Sequence, residues 1–141
     1  METTKSTIIK VNCKIQAPVE IVWKLWTTPE HITRWNNATE DWHTPVAEND
    51  LRVGGKFLSR MEAKDGSAGF DFSGVYTEVD TYKRISYILE DGRKVKIIFS
   101  GYGNETEITE TFEAENINTV DLQRNGWQSI LDNFKSYVES F

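Results

Sequence analysis

Two short helices, each opened by a proline, are the feature of this sequence that most constrains its fold. Residues 17–35 read APVEIVWKLWTTPEHITRW. Pro18 and Pro29 suit the first turn of a helix, where no N–H donor is needed, and Thr28 is a preferred N-cap residue. The segment also carries three tryptophans, a large apolar load for its length. The helix pair is therefore expected to lie across a wide apolar surface.

Length, composition and charge narrow the classes of function. The 141 residues suffice for one domain with its own core, and 12% of them are aromatic. A formal net charge of −6 argues against a nucleic-acid partner, because phosphate contacts need clustered Lys and Arg. No apolar run approaches the roughly 18 residues of a membrane span, and the start METTKST does not resemble a signal peptide. The lone Cys13 fits a reducing compartment, so we expect a cytoplasmic protein without membrane insertion.

Most of the remaining sequence alternates apolar and polar residues with the period of a β-strand. Residues 7–16 predict the first strand, with Ile9, Val11 and Ile15 on its inner face. Six more strands are predicted after the helix pair, separated by glycine-containing turns such as the one at Asp91 and Gly92. The pattern favours a single antiparallel sheet.

The chain closes with a predicted amphipathic helix over residues 119–140. Trp127, Ile130 and Phe134 share its apolar face, and Asn118 suits the N-cap position. Gly126 is unfavourable inside a helix by about 1 kcal/mol relative to Ala. Its presence predicts that space is needed there, for a closely packed strand or for a ligand.

The order of one strand, two helices, six strands and a long helix resembles the helix-grip fold shared by START domains and the birch-pollen allergen Bet v 1. More closely, the chain is similar to single-domain homologues of the C-terminal domain of the heat-shock-protein-90 ATPase activator. The resemblance covers about residues 8–139, through residues 17–35 and the motifs NDLRVGGKF, DFSGVYTEV, RISY and GWQSILDNFKSYV. It implies one START-like α+β domain over residues 1–141: a curved antiparallel sheet of about seven strands with the long helix over its concave face.

The fold class implies a cavity between the sheet and the last helix. The residues expected to contact a small apolar or aromatic ligand there are Trp23, Trp35, Phe57, Met61, Phe72, Tyr76, Tyr87, Phe99, Glu110, Trp127 and Ile130. Buried tyrosine and tryptophan carry polar atoms that prefer partners, which is typical of an amphipathic lining. The alternative is that these side chains fill the space and close the core.

Two residues are candidates for acid–base chemistry. If the strand TEITET alternates strictly, Glu110 shares the inner face with Ile108 and Phe112, and burial raises its pKa unless a partner stabilises the charge. A bulge would instead turn Glu110 outward. His43 follows the second helix near the expected cavity mouth and can titrate near neutrality. His31 is expected to be exposed, and no metal site, cofactor motif or nucleophilic triad is predicted.

Three classes of function remain open. We favour a binder or carrier of a small apolar or aromatic molecule that uses no cofactor. The first alternative is an enzyme of the cyclase or dehydratase type, in which Glu110 transfers protons in an apolar pocket. The second is a co-chaperone-like interaction module. We do not expect a chaperone partner, because the activator also uses an N-terminal domain and only about seven residues precede the first strand here.

Overall fold

The computed structural model describes residues 7–141, in which one sheet and three helices are formed. The strands are β1 (Ile8–Ile15), β2 (Trp42–Asn49), β3 (Lys56–Ala63), β4 (Gly69–Asp80), β5 (Arg84–Leu89), β6 (Lys94–Tyr102) and β7 (Glu105–Glu113). The helices are α1 (Val19–Thr27), α2 (Pro29–Trp35) and α3 (Val120–Glu139). The predicted α+β helix-grip fold is confirmed. The expectation that the polar start is not a signal peptide concerns residues 1–6, which lie outside the described range.

The seven strands form one antiparallel sheet in the order β1-β7-β6-β5-β4-β3-β2. Strands β2 to β6 each pair with the next strand in sequence, and β1 completes the sheet by pairing with β7. The pairing of β7 is continuous on both sides, with Glu110 opposite Val11 of β1 and Ile97 of β6. Because no bulge interrupts β7, alternate residues from Thr106 to Phe112 are all buried.

The helix pair covers one end of the concave face. Pro29 is the first residue of α2, and Pro18 immediately precedes α1, so each proline stands at a helix start as predicted. Helix α1 approaches β6 so closely that a Cβ on Gly101 would lie 3.0 Å from the side chain of Val19. A side chain at position 101 would therefore push α1 away from the sheet.

Helix α3 packs along β1 and against both short helices. It begins at Val120, and the Thr119 hydroxyl caps it by accepting a hydrogen bond from the Leu122 N–H at 3.1 Å. The predicted N-cap, Asn118, is wrong by one residue, because its amide instead donates to the Glu115 carboxylate in the preceding turn. Close packing at Gly126 is also wrong, since a Cβ there would meet nothing within 4 Å.

The densest part of the core lies where the three helices meet. Phe134 of α3 is fully buried and packs edge-on against Trp26 and Trp35, with ring centroids 4.8 and 4.7 Å away. Trp26 and Trp35 stack on each other at 4.9 Å. The tryptophans of the helix pair thus anchor the C-terminal helix. Within residues 7–141, no helix combines the length and hydropathy that crossing a bilayer requires.

Candidate functional site

A pocket of about 280 Å³ lies on the concave side of the sheet. Its aromatic lining from β3, β4 and β5 consists of Phe57, Phe70, Phe72, Tyr76 and Tyr87. Trp127 and Ile130 of α3 line the helix side. The space exists because α3 packs along β1, at one edge of the sheet. The inner face of β3 to β5 is therefore covered by side chains and not by a helix.

The structure brings nine of the eleven predicted lining residues to this pocket: Trp35, Phe57, Met61, Phe72, Tyr76, Tyr87, Glu110, Trp127 and Ile130. That these residues bind a ligand stays a prediction. Trp23 and Phe99 lie outside the pocket, and their predicted place in its lining is corrected. Trp23 packs against Phe99 and Tyr82 at centroid distances of 5.1 and 6.0 Å, because α1 covers that end of β6.

Sequence reasoning missed several residues that line the pocket. Trp26 and Ile32 of the helix pair line it, and so do Ser59 of β3, Phe70 of β4 and Ile85 of β5. A signal for most of them was present: strand alternation places Ser59 with Phe57 and Met61, and Ile85 with Tyr87. Trp26 belongs to the same apolar stripe as Trp23, and the orientation of α1 decides which of the two reaches the pocket.

Glu110 is the buried charge-bearing group of the site. Only 5% of its surface is exposed, and its flanking residues on the inner face, Ile108 and Phe112, are apolar. Within residues 7–141, no group donates a hydrogen bond to its carboxyl, and yet the oxygens are not sealed from the pocket. Burial raises the pKa of this carboxyl from 4.5 to about 8. The predicted inward orientation is confirmed, and the outward bulge is wrong.

The two tyrosines of the pocket have different surroundings. The Tyr76 hydroxyl donates to the Asn49 side-chain oxygen, and the Asn49 amide donates to the Thr27 carbonyl at 2.7 Å. This chain ties β4 and β2 to the end of α1, so Tyr76 is part of the scaffold. For the Tyr87 hydroxyl, no hydrogen-bond partner occurs in the described part of the chain. Burial, reinforced by nearby Glu110, raises the pKa of Tyr87 well above its ordinary value, so the phenol stays protonated.

Hydrogen bonds hold the residues that line one end of the pocket, in the loop before α3 and at its start. The buried Gln123 side chain accepts from the Glu115 N–H at 2.9 Å and donates to the Asn118 carbonyl at 2.9 Å. Arg93 also lines this end, and its guanidinium donates to the Asp91 carboxylate at 2.7 Å and to the Glu113 carbonyl at 3.4 Å. These polar groups have partners, in contrast to Glu110 and Tyr87.

The two histidines do not belong to the pocket. His43 lies on the convex side, 3.8 Å from the Glu62 carboxylate, because its neighbour Thr44 takes the buried position on β2. The expected place of His43 at the cavity mouth is therefore wrong. His31 is half-buried rather than exposed, since the end of α3 brings the Tyr137 hydroxyl within 2.6 Å of its Nδ1. Among residues 7–141, no three His, Cys, Asp or Glu side chains come together as a metal site.

The fold defines a helix-grip domain of the START-like class. The chain belongs to the family described as Activator of Hsp90 ATPase homolog 1-like protein, whose family model matches residues 16–139. The resemblance inferred from the sequence motifs is confirmed.

Solved structures agree with this assignment. The solution NMR structure of the AHSA1-like protein from Aeromonas hydrophila is 47% identical, with a TM-score of 0.85 over 94% of this chain and 93% of that one. The solution structure of Chr148 from Cytophaga hutchinsonii is 49% identical, with a TM-score of 0.81 over 94% and 92% of the two chains. Protein NE0264 from Nitrosomonas europaea, at 20% identity, has the same fold with a TM-score of 0.81 over 98% and 97%. No curated protein matches the chain in sequence.

Proposed function

We propose that the protein binds a small apolar or aromatic molecule in the pocket beneath α3. The observation that carries the proposal is the Glu110 carboxyl, buried against apolar side chains without a donor from the described chain. A buried polar group without a partner costs roughly 1–3 kcal/mol in proteins. A ligand that supplies the missing hydrogen bond would satisfy the carboxyl at this position.

The size and composition of the pocket support a small ligand. Its volume of about 280 Å³ lies just below the roughly 300–1,000 Å³ range of small-molecule sites, which fits a small ligand. Aromatic and aliphatic side chains make up most of its wall, and polar side chains interrupt the apolar surface. Such a lining gains free energy by removing an apolar body from water, while the polar groups orient it.

Native mass spectrometry of the purified protein tests the proposal. We expect a bound small molecule that is absent after replacing Ser59 with Phe, because Ser59 lines the pocket and a larger side chain would fill it. Leu58→Phe is the matched control, since the neighbouring side chain points to the other face of β3. Met61→Phe fills the same space should Ser59→Phe fail to fold. The proposal fails if neither a co-purifying mass nor any apolar probe is retained by the wild type.

Proton-transfer catalysis is the second candidate function. It rests on the pKa of Glu110, which burial brings to about 8, near the pH at which a general acid or base works best. In an enzyme of the cyclase or dehydratase type, Glu110 would exchange a proton with a ligand held in the apolar pocket, and Tyr87 would donate a hydrogen bond to it. Glu110→Gln would then abolish turnover while leaving ligand binding measurable. Equal turnover by both proteins would remove this candidate.

The proposal includes the setting in which the protein acts. The acidic net charge of −6 supports a small-molecule partner over nucleic acid, and the lone Cys13 supports a reducing compartment such as the cytoplasm. The proposal includes neither membrane insertion nor a bound cofactor. A chaperone partner, which the family description brings to mind, is not part of the proposal. The pocket requires a molecule that fits inside it, whereas a chaperone would dock on the outer surface.

A further inference from the structure

Resting on the proposed function, we infer that the ligand carries a basic nitrogen on an aromatic or apolar body, with the nitrogen held by the Glu110 carboxyl. The arrangement that points to it is a buried acid that opens into a pocket lined by aromatic rings and lacks a basic partner. Three properties of the lining lead to this class of ligand.

The first property is the balance of charge in the lining. Glu48, Glu110 and Glu115 line the pocket, whereas Arg93 is the one cationic side chain among the described lining residues. The Arg93 guanidinium is already held by the Asp91 carboxylate at 2.7 Å. An anionic ligand would therefore enter beside further acidic side chains without an available cation to pair with. The lining disfavours carboxylates and phosphates.

The second property is the way in which an isolated acid can be satisfied. A protonated carboxyl donates its O–H to the lone pair of a neutral amine, and a carboxylate accepts N–H from the protonated amine. In both cases the carboxyl and the amine share one proton. Their hydrogen bond therefore forms whichever of the two groups carries it. An alcohol also pairs with a neutral carboxyl, but it forms no ion pair with the ionised one.

The third property is the aromatic surface around the acid. Tyr87 of β5 packs edge-on against Phe57 with ring centroids 4.7 Å apart, and Trp127 of α3 lies 5.9 Å from Phe72. Ring faces attract a cation, and they do so more strongly where water is excluded. The same rings remove an apolar body from water. Carboxyl and rings together therefore favour an organic amine over a neutral molecule of the same shape.

The other titratable groups around Glu110 do not compete with it for the amine. Tyr87 on β5 and Cys13 on β1 both interact electrostatically with Glu110, and burial raises the pKa of each, that of Cys13 to about 12. Both therefore remain neutral near neutral pH. Glu110 is left as the group that changes charge when an amine enters.

A matched series of ligands tests the inference by isothermal titration calorimetry. The probes are 1-naphthylmethylamine, 1-naphthylmethanol and 1-naphthoate, which share one ring system and differ in the charge of the head group. We expect the amine to bind at least about tenfold more tightly than the alcohol, a difference of about 1.4 kcal/mol, and the carboxylate to bind most weakly. Glu110→Gln should bring the amine to within about threefold of the alcohol. Glu107→Gln, which removes a negative charge from the opposite face of the same strand and outside the lining, is the control and should keep the tenfold preference.

Proton release gives a second, independent readout. With the pKa of Glu110 at about 8, this carboxyl is mostly protonated at pH 7 in the free protein. Because it must lose its proton to pair with the ammonium form of the amine, binding should release close to one proton per complex. Titrations in two buffers of different ionisation enthalpy measure this number, and the alcohol should release none.

The possible outcomes separate the inference from the proposed function. Alcohol binding as tight as amine binding, or carboxylate binding tighter than both, overturns the inference and leaves the proposed function standing. Failure of all three probes to bind overturns both. The order of the three affinities to the wild type decides the inference by itself if Glu110→Gln does not fold.

Discussion

Trp127 of α3 lies flat against Phe112 of β7, with the ring centroids 3.8 Å apart and the ring planes 13° from parallel. Phe112 is two residues from Glu110 on the same inner face, so this stack joins the helix to the sheet beside the buried acid. Trp127 also lines the pocket. Its fluorescence is therefore expected to report both the seating of α3 and the entry of a ligand.

The packing of α3 predicts a large cost for truncating Phe134. Phe134→Ala should lower the free energy of unfolding by about 3–5 kcal/mol, because the ring is fully buried between Trp26 and Trp35. Phe141→Ala is the control, since that ring is 73% exposed and should change stability by less than about 0.5 kcal/mol. Urea melts of the three proteins measure both effects. A loss below about 1 kcal/mol at Phe134 would mean that α3 does not cover the core.

The buried acid predicts a pH-dependent gain from Glu110→Gln. The pKa of Glu110 is raised from 4.5 to about 8, so folding takes up a proton between these values, and the carboxyl lowers stability increasingly as the pH rises through that window. Below pH 4.5 both states are protonated and this penalty is absent.

The stability difference between the Gln variant and the wild type should therefore grow by about 1.4 kcal/mol per pH unit above pH 4.5 and level off above pH 8. Urea melts of both proteins at pH 4, 5.5 and 7 give this slope, because contributions from all other titrating groups cancel in the difference. A difference that stays constant with pH would place the carboxyl in solvent. A Gln variant that loses stability as the pH rises would show that the carboxylate has a partner.

Two glycines predict stability changes of opposite sign. Gly74→Ala should destabilise the protein by about 1–3 kcal/mol, because the new Cβ would lie 2.6 Å from the Ile88 carbonyl oxygen and 2.9 Å from the Phe57 ring. Since Phe57 lines the pocket, its displacement should also weaken ligand binding. Gly126→Ala, in contrast, meets nothing within 4 Å and should stabilise α3 by about 0.5–1 kcal/mol. Thermal and urea unfolding of both variants check the signs, and a stabilising Gly74→Ala would contradict the packing at Phe57.

The sequence predicts much of this fold because its periodicities are strong. Strand alternation, two helix-opening prolines and one long amphipathic helix predict the element order that the structure confirms. The face of Glu110 could not be decided locally, since TEITET is polar in either register. Its orientation follows from pairing: β1 and β6 flank β7 with Val11 and Ile97 facing the core, and the shared pleat turns Glu110 to the same side.

The corrections concern orientation and end effects that local pattern does not encode. Trp23 and Trp26 both lie on the apolar stripe of α1, yet only the packing of α1 on β6 places Trp26 at the pocket and Trp23 beside Phe99. His43 was expected at the cavity mouth, but the inward turn of Thr44 places it on the convex face. The orientations of these side chains depend on contacts between segments that are distant in sequence, so the local sequence pattern does not predict them.

The central claim is that a small apolar or aromatic molecule binds on the concave side of the sheet, and isoleucine methyl NMR tests it most directly. Ile32, Ile85 and Ile130 line the pocket, whereas Ile8 and Ile88 line a groove on the convex face and serve as internal controls. Titration with 1-naphthylmethanol should shift the methyl signals of the first three and leave those of the other two in place. Unchanged signals at all five, or shifts confined to Ile8 and Ile88, would contradict the account.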